Sequence, residues 1–320
     1  MSVDRILLVS LDNLGDLVFA SALAPPLRER FPSASLDVWC KEYTADVAKL
    51  IPGVSGVIAS DPFWDVAPGR AKGSRAAFLR AFRQVRSRRY DVAILAAAPW
   101  RTAAAVAATR IPRRIGLGRR KNRYFLTDVL PDERTDRPVL SEMARLLAPL
   151  GIDTGGLEYR LDASALASRR ERLAATVSRP YAALHPFASK ENRCVALSVW
   201  IELSRTLAAR GMSILWIGSP NELNRLRANS ALAEWRYIDG VGDGSLADTA
   251  AALADAALFV GHDSGPLHVA GALGIPVVGI FAPGEPLRTF PQGIGKSRML
   301  ARPSPAGITA TDILNEIDAL

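Results

Sequence analysis

Short apolar runs recur along this chain, spaced so that a helix fits between one and the next. They lie at 5–10 (RILLVS), 36–40 (LDVWC) and 91–97 (DVAILAA), then at 181–185 (YAALH), 213–218 (SILWIG), 256–261 (AALFVG) and 276–281 (PVVGIF). Helical patterns fill 17–30, 74–88 and 197–210. Strands that alternate with helices build βαβ units, so the fold class is α/β with parallel sheets. The series runs twice, with a break in LGIDTGGLEYRLDASA (150–165), where glycines and polar residues interrupt the pattern. We therefore expect a first domain over 1–155, a second over 156–305 and a terminal helix within 306–320, capped by Thr309 or Thr311. Two doubly wound domains facing across a cleft place a ligand site beyond the strand ends of each, which suits an enzyme that joins two substrates. Pro25 and Pro26 fall inside the first helical pattern, where a proline costs about 3 kcal/mol, so a short helix followed by a second turn is expected there.

The length of 320 residues is ample for two cores. Although 49% of residues are apolar, no run approaches the ~20 residues of a membrane span. The start, MSVDRILLVSLDN, lacks the long apolar segment of a secretory signal, and a cytoplasmic location is expected. Cys40 and Cys194 are too few and too far apart for a disulfide framework or a thiolate metal site. The net charge of +8 is concentrated: Arg70–Arg123 holds sixteen Lys and Arg against one acid, Asp91, leaving 24 basic and 31 acidic residues elsewhere. Such a block implies an anionic partner, or else an arginine-rich solvated face.

Three loops carry the candidate chemistry. The first, SLDNLGD (10–16), has one glycine where a dinucleotide fingerprint needs three, which argues against a nicotinamide-dependent dehydrogenase. It places Asp16 at a helix start, with Asp12 four residues earlier; a helix cap and a catalytic base are both open readings. The second loop lies in LFVGHDSGPLHVAGALGIPVVGIF (258–281): a strand, the polar turn His262, Asp263, Ser264, Gly265, then Pro266 and His268 on the opening helical turn. Free N–H groups at such a turn suit a diphosphate. The third, LHPFASKENRCVALSVW (184–200), brings Lys190 and Arg193 to another strand end. After SILWIGSPNE, Glu222 is either a ribose ligand or a helix-capping acid.

Together, RILLVSLDNLGDLVFASALAPPLRERFPSASLD, YAALHPFASKENR…W, GSPNE and VGHDSGPLHVAGALGIPVVGIF resemble the ADP-heptose:lipopolysaccharide heptosyltransferase family, in order and over nearly the whole chain. The resemblance implies a GT-B fold of two Rossmann-like domains, with the terminal helix crossing back to the first. It implies inverting, metal-independent transfer of a heptose-type sugar from a nucleotide donor, ADP-heptose, to a lipopolysaccharide-core hydroxyl. Asp16 would be the general base, and Arg193 or Lys190 the cation on the leaving diphosphate. His262, Asp263, Ser264, Gly265, Pro266 and His268 would bind the donor diphosphate and sugar, and Glu222 the ribose. No cofactor or metal is expected, since there is no D-x-D pair and the histidines have no ligand spacing. The acceptor would be an anionic glycan or glycolipid, reached at the inner membrane surface and held by Arg113, Arg114, Arg119, Arg120 and Lys121 of the basic block. Transfer to a protein or a secondary metabolite, or a sugar-nucleotide epimerase of the same build, are the alternatives. Nucleic acid is not an expected partner, because few aromatics interleave with the cations: Phe78, Phe82, Tyr90 and Trp100 before Tyr124.

Overall fold

Strands buried on both faces read as continuous apolar runs, and five of the six residues of the opening run, Ile6 to Ser10, are buried. The structure, a computed structural model, describes residues 3–65, 72–97, 99–133, 137–188, 190–232, 235–239 and 245–320, with the side chains of 236–239 left aside. Arg70, the first cation of the basic block, lies outside the described residues. The chain divides into two units, Met1–Tyr159 and Arg160–Leu320.

In the first unit the strands are β1 (Arg5–Ser10), β2 (Ser35–Cys40), β3 (Gly56–Ala59), β4 (Val92–Ala97), β5 (Arg113–Gly118) and β6 (Asp128–Pro131). They form one sheet in the order β3-β2-β1-β4-β5-β6, with every pairing parallel. The helices are α1 (Leu14–Ser21), α2 (Ala24–Arg30), α3 (Ala45–Ala48), α4 (Arg75–Arg88), α5 (Trp100–Ala108) and α6 (Val139–Arg145). The prolines act as expected: α1 is short, and Pro25 lies in the first turn of α2, where a missing N–H breaks no helical hydrogen bond. The core gathers Leu7, Val9, Trp39, Phe78, Val85 and Val106 between the sheet and its covering helices.

The second unit repeats the plan with β7 (Tyr181–His185), β8 (Ser213–Gly218), β9 (Arg236–Asp239), β10 (Leu258–His262), β11 (Val277–Phe281) and β12 (Ser297–Ala301). The order is β12-β11-β10-β7-β8-β9, again all parallel. Its helices are α7 (Ala167–Ala174), α8 (Leu197–Ala209), α9 (Pro220–Arg227), α10 (Leu246–Ala254), α11 (Gly265–Ala272), α12 (Pro286–Thr289) and α13 (Ala310–Asp318). At Gly274, φ is +83°, and this glycine turns the chain from α11 toward β11.

Thr309 caps α13 reciprocally with Asp312. Ala310 and Ile313 are buried with Trp200, Leu203 and Leu207 of α8, and Leu314 and Ile317 pack against the same cluster. Its apolar stripe packs into the core of the second unit. Among the described residues no helix is long and apolar enough to cross a membrane.

Candidate active site

In a doubly wound sheet the crevice lies where the strand order reverses, beyond the carboxyl ends. In the first unit this point falls between β1 and β4, and the loop that leaves β1 carries Asp12 and Asp16. Asp16 sits in the first turn of α1, half-buried. Burial pushes its carboxyl up to about 7, and the neighbouring Asp12 carboxylate adds to the rise; the Asn13 and Asp16 N–H groups and Lys41 pull the other way. Asp12 is raised as well, first by burial, although its Oδ1 accepts the Asn13 N–H at 2.9 Å. A carboxylate serving only as a helix cap is held below its ordinary value by the N–H groups and the helix dipole. Asp16 is shifted the opposite way.

Sequence reasoning passed over two groups that complete this half. Lys41 directly follows β2, whose Cys40 pairs with Ser10 at the end of β1. Its side chain is 7% exposed, and its Nζ lies 2.6 Å from Asp65 Oδ2. Position gave the one available signal, since Lys41 is the first residue beyond a strand's carboxyl end, next to the reversal point. Asp65 had none.

The expected acceptor residues part company. Arg113 bonds the Asp128 carboxylate at 3.0–3.3 Å and the Pro149 carbonyl. Arg114 donates to the carbonyls of Phe125 (2.7 Å) and Ile111 (2.5 Å). Both guanidiniums brace β5 and the segments beside it. Arg119 is paired with Asp132 (3.0 Å) and Glu142 (3.4 Å). Arg120 and Lys121 remain exposed. Beyond β3 and β4, Lys72, Arg75 and Arg101 join Phe63, Trp64 and Trp100 around a hollow of about 450 Å³.

In the second unit the order reverses between β7 and β10. Gly261 permits the close approach there, since a Cβ would fall 2.7 Å from the Phe259 ring and 3.3 Å from His185 Cβ. Ser264 precedes α11 in extended conformation; its Oγ donates to the His262 carbonyl at 3.1 Å and lies 3.3 Å from His185 Nδ1. Asp263, Ser264, Gly265 and Pro266 are half-buried along the outer edge of the turn. In the first turn of α11, Pro266 has no N–H and the Leu267 N–H donates to the Ser264 carbonyl at 3.1 Å, which leaves the Gly265 N–H beside the positive end of the helix dipole.

The two histidines of this motif are buried rather than exposed at that edge. His262 is 1% exposed; its Nε2 accepts the Val195 N–H at 3.0 Å and its ring lies 5.4 Å from that of Trp200. Burial first, then His185, pushes its pKa down to about 3, so it stays neutral and holds the loop before α8 against β10. His268 is also buried, its Nε2 3.6 Å from Asp263 Oδ1, beneath the turn. His185, passed over as a strand end, is the third buried imidazole, lowered chiefly by burial and raised by Glu222. Glu222 caps α9: its Oε2 accepts from Ser219 N–H and Oγ at 2.8 Å each. Lys190 is exposed and Arg193 half-buried on the turn Glu191–Arg193. A third cation joins them, Arg225, which pairs with Glu191 at 3.0 Å and lies 5.8 Å from the Phe187 ring. Among the described residues, no group of three or more His, Cys, Asp or Glu is placed to hold a metal ion.

Residues 78–305 match glycosyltransferase family 9 (heptosyltransferase). The chain belongs to this family. The lipopolysaccharide core heptosyltransferase OpsX of Haemophilus influenzae is 21% identical over 290 residues, 89% of this chain and 80% of that protein. A family 9 glycosyltransferase from Veillonella parvula shares the fold with a TM-score of 0.84 at 17% identity, over 100% of this chain and 98% of its own. The Escherichia coli heptosyltransferase WaaC, solved with ADP-2-deoxy-2-fluoro heptose, gives 0.76 at 20% identity, over 98% and 99% of the two chains. The fold is GT-B, as the sequence motifs implied, and this family 9 member is a glycosyltransferase.

Proposed function

We propose that the enzyme moves a heptose-type sugar from ADP-heptose to a hydroxyl of an anionic lipopolysaccharide-core acceptor, with inversion at the anomeric carbon. The family match and its lipopolysaccharide heptosyltransferase relatives support the donor and acceptor, and the transfer chemistry is supported by Asp16, a carboxyl at the reversal point of the first sheet that burial raises to about 7. Its carboxylate takes the acceptor's proton as the new C–O bond forms. The anomeric C–O bond to the diphosphate breaks, and its electron pair leaves with ADP. The α11 N-terminus and Arg193 or Lys190 stabilise that growing charge, while Ser264 and the edge of the HDSG turn hold the diphosphate. Glu222 takes a ribose hydroxyl on Oε1, since its Oε2 is committed to capping α9. The acceptor's saccharide suits the Trp100 side of the hollow, and its anions suit Lys72, Arg101, Arg120 and Lys121.

The deciding experiment is a thermal-shift panel of ADP, UDP, GDP and CDP, then of their sugars, followed by transfer to core acceptors of defined length. ADP-heptose should give the largest shift and release ADP only when acceptor is added. Acceptor-independent conversion of the donor sugar would favour the epimerase alternative.

Three expectations follow from the site. Turnover should persist in excess EDTA, because side-chain cations and a helix N-terminus supply the positive charge; a strict need for added Mg²⁺ or Mn²⁺ would oppose this. Arg120→Gln/Lys121→Gln should raise the acceptor KM severalfold, more at low salt, and leave the donor KM within error. Arg113→Gln should instead lower the melting temperature, because its partners are Asp128 and Pro149. If Arg113→Gln alone raised the acceptor KM, the bracing role would be wrong.

A further inference from the structure

The basic block does not form one surface. The crossovers β3–α4–β4 and β4–α5–β5 carry both helices from the carboxyl edge of the first sheet to its amino edge. α4 has 14 residues and is therefore about 20 Å long. Its opening residue, Arg75, lines the hollow beside Trp100, whereas its far end opens on a different cavity. That cavity, of about 440 Å³, is lined by Arg86, Arg89 and Arg110 together with Tyr90, Asp91 and Thr109.

The three arginines are available. Among the described residues, no side-chain ion pair or hydrogen bond engages their guanidiniums. Arg88, next to them, is bound to Asp37. The cavity's carboxylate, Asp91, has its Oδ2 engaged by the N–H groups of Asp4 (2.8 Å) and Arg5 (2.9 Å). Three guanidiniums outweigh one carboxylate and two helix C-termini of roughly −0.5 charge each.

The backbone adds a second observation. Arg89 caps α4 with φ of +50°, and Arg110, one residue beyond the Thr109 cap of α5, has φ of +68°. This left-handed position is where a helix ordinarily places glycine, and a residue with a Cβ resists it. Two arginines hold this backbone and line the same cavity. Local folding preference would have put glycine in both places.

We propose that this cavity binds a phosphate-bearing anion, a phosphomonoester or phosphodiester group, at a site separate from the donor and acceptor positions. Arginine forks match phosphate oxygens in pairs, and three around one cavity can cover the exposed side of such a group. The group could belong to a lipid headgroup or to a free phosphorylated molecule. The proposal is independent of the sugar-transfer reading, since the cavity lies at the opposite edge of the sheet from Asp16.

The test uses the full chain and the variant Arg86→Gln/Arg89→Gly/Arg110→Gly. Co-sedimentation is measured with phosphatidylglycerol–phosphatidylcholine vesicles and with phosphatidylcholine alone, and inorganic phosphate is titrated by calorimetry. The charge-matched control is Arg80→Gln/Arg172→Gln/Arg205→Gln, at three exposed positions elsewhere. The variant should lose about tenfold or more in affinity, the size of one lost charge-assisted contact, while the control changes little. Loss confined to phosphatidylglycerol vesicles identifies a lipid headgroup; loss for phosphate as well identifies a free phosphate group. Glycine suits a positive φ, so the variant should melt no lower than the parent. Arg86→Gln alone reads the same contact without touching a positive φ. Unchanged binding in the variants, or equal loss in the control, would overturn the proposal. So would a lowered melting temperature with binding intact, which would assign the arginines to the helix ends.

Discussion

Replacing Asp16 by Asn should lower turnover by about 10²–10⁴-fold while donor affinity stays within error, the range for a lost general base. The upward direction of its shift is what makes Asp16 a competent base. An ordinary aspartate near 3.9 is ionised at neutral pH but binds a proton weakly. Burial and Asp12 lift Asp16 to about 7, where it is substantially ionised at pH 7.5 and is a much stronger base. Activity should therefore rise with pH through an apparent value near 7 that belongs to the Asp12–Asp16 pair. Asp12→Asn should move that limb to lower pH, because one source of the rise is gone. Lys41→Met should move it upward by removing a charge that favours the ionised form.

The same shift predicts a stability effect of opposite sign. The folded value lies above the unfolded one, so the folded state binds more protons between roughly pH 4 and 7, and stability falls as pH rises through that window. Asp16→Asn removes this loss. The variant should melt a few degrees above the parent at pH 8 and show little gain at pH 4. Near-parental turnover combined with a lower melting temperature at pH 8 would return Asp16 to the role of a helix cap.

How much was legible in the sequence follows from where each element sits. The central strands β1, β4, β7 and β10 are buried on both faces and announce themselves as RILLVS, DVAILAA, YAALH and AALFVG. The four edge strands do not. GVIA, DVLP, RYID and SRMLA are short and mixed, because an edge strand is only partly covered and need not be apolar throughout. β5 was hidden by Arg113 and Arg114 at its start. The site shows the same division. Asp16 and the HDSG turn stand at the reversal points, where local sequence and topology agree. His262 and His268 look like ligands in a motif, yet Val195 and Asp263 hold their imidazoles in the interior. Lys41 and Asp65 lie 24 positions apart and meet only once β2 is paired.

Arg193→Ala should reduce turnover by about 10²-fold or more and weaken the donor complex less. A cation facing the diphosphate gains most when the anomeric bond breaks and the leaving group takes on charge; one such donor is worth roughly 3 kcal/mol in comparable sites. The structure supplies a reason to rank Arg193 above Lys190. Arg193 is half-buried, one residue before Cys194 and two before Val195, whose N–H is fixed on His262 Nε2 at 3.0 Å. The buried imidazole, pushed down to about 3 and therefore neutral, anchors this end of the loop without repelling the arginine. Lys190 is exposed, beyond Glu191 and Asn192, where water screens its charge. Lys190→Ala should accordingly cost less than tenfold. His262→Gln should copy part of the Arg193→Ala defect, because the loop loses its anchor while the cation remains. If Lys190→Ala proves the more damaging, the loop must present its first cation to the phosphate, and the anchoring by His262 would serve the fold alone. Arg193→Lys separates charge from shape: it keeps the charge but loses the planar fork, so a recovery of only a few-fold would point to paired contacts with the phosphate oxygens.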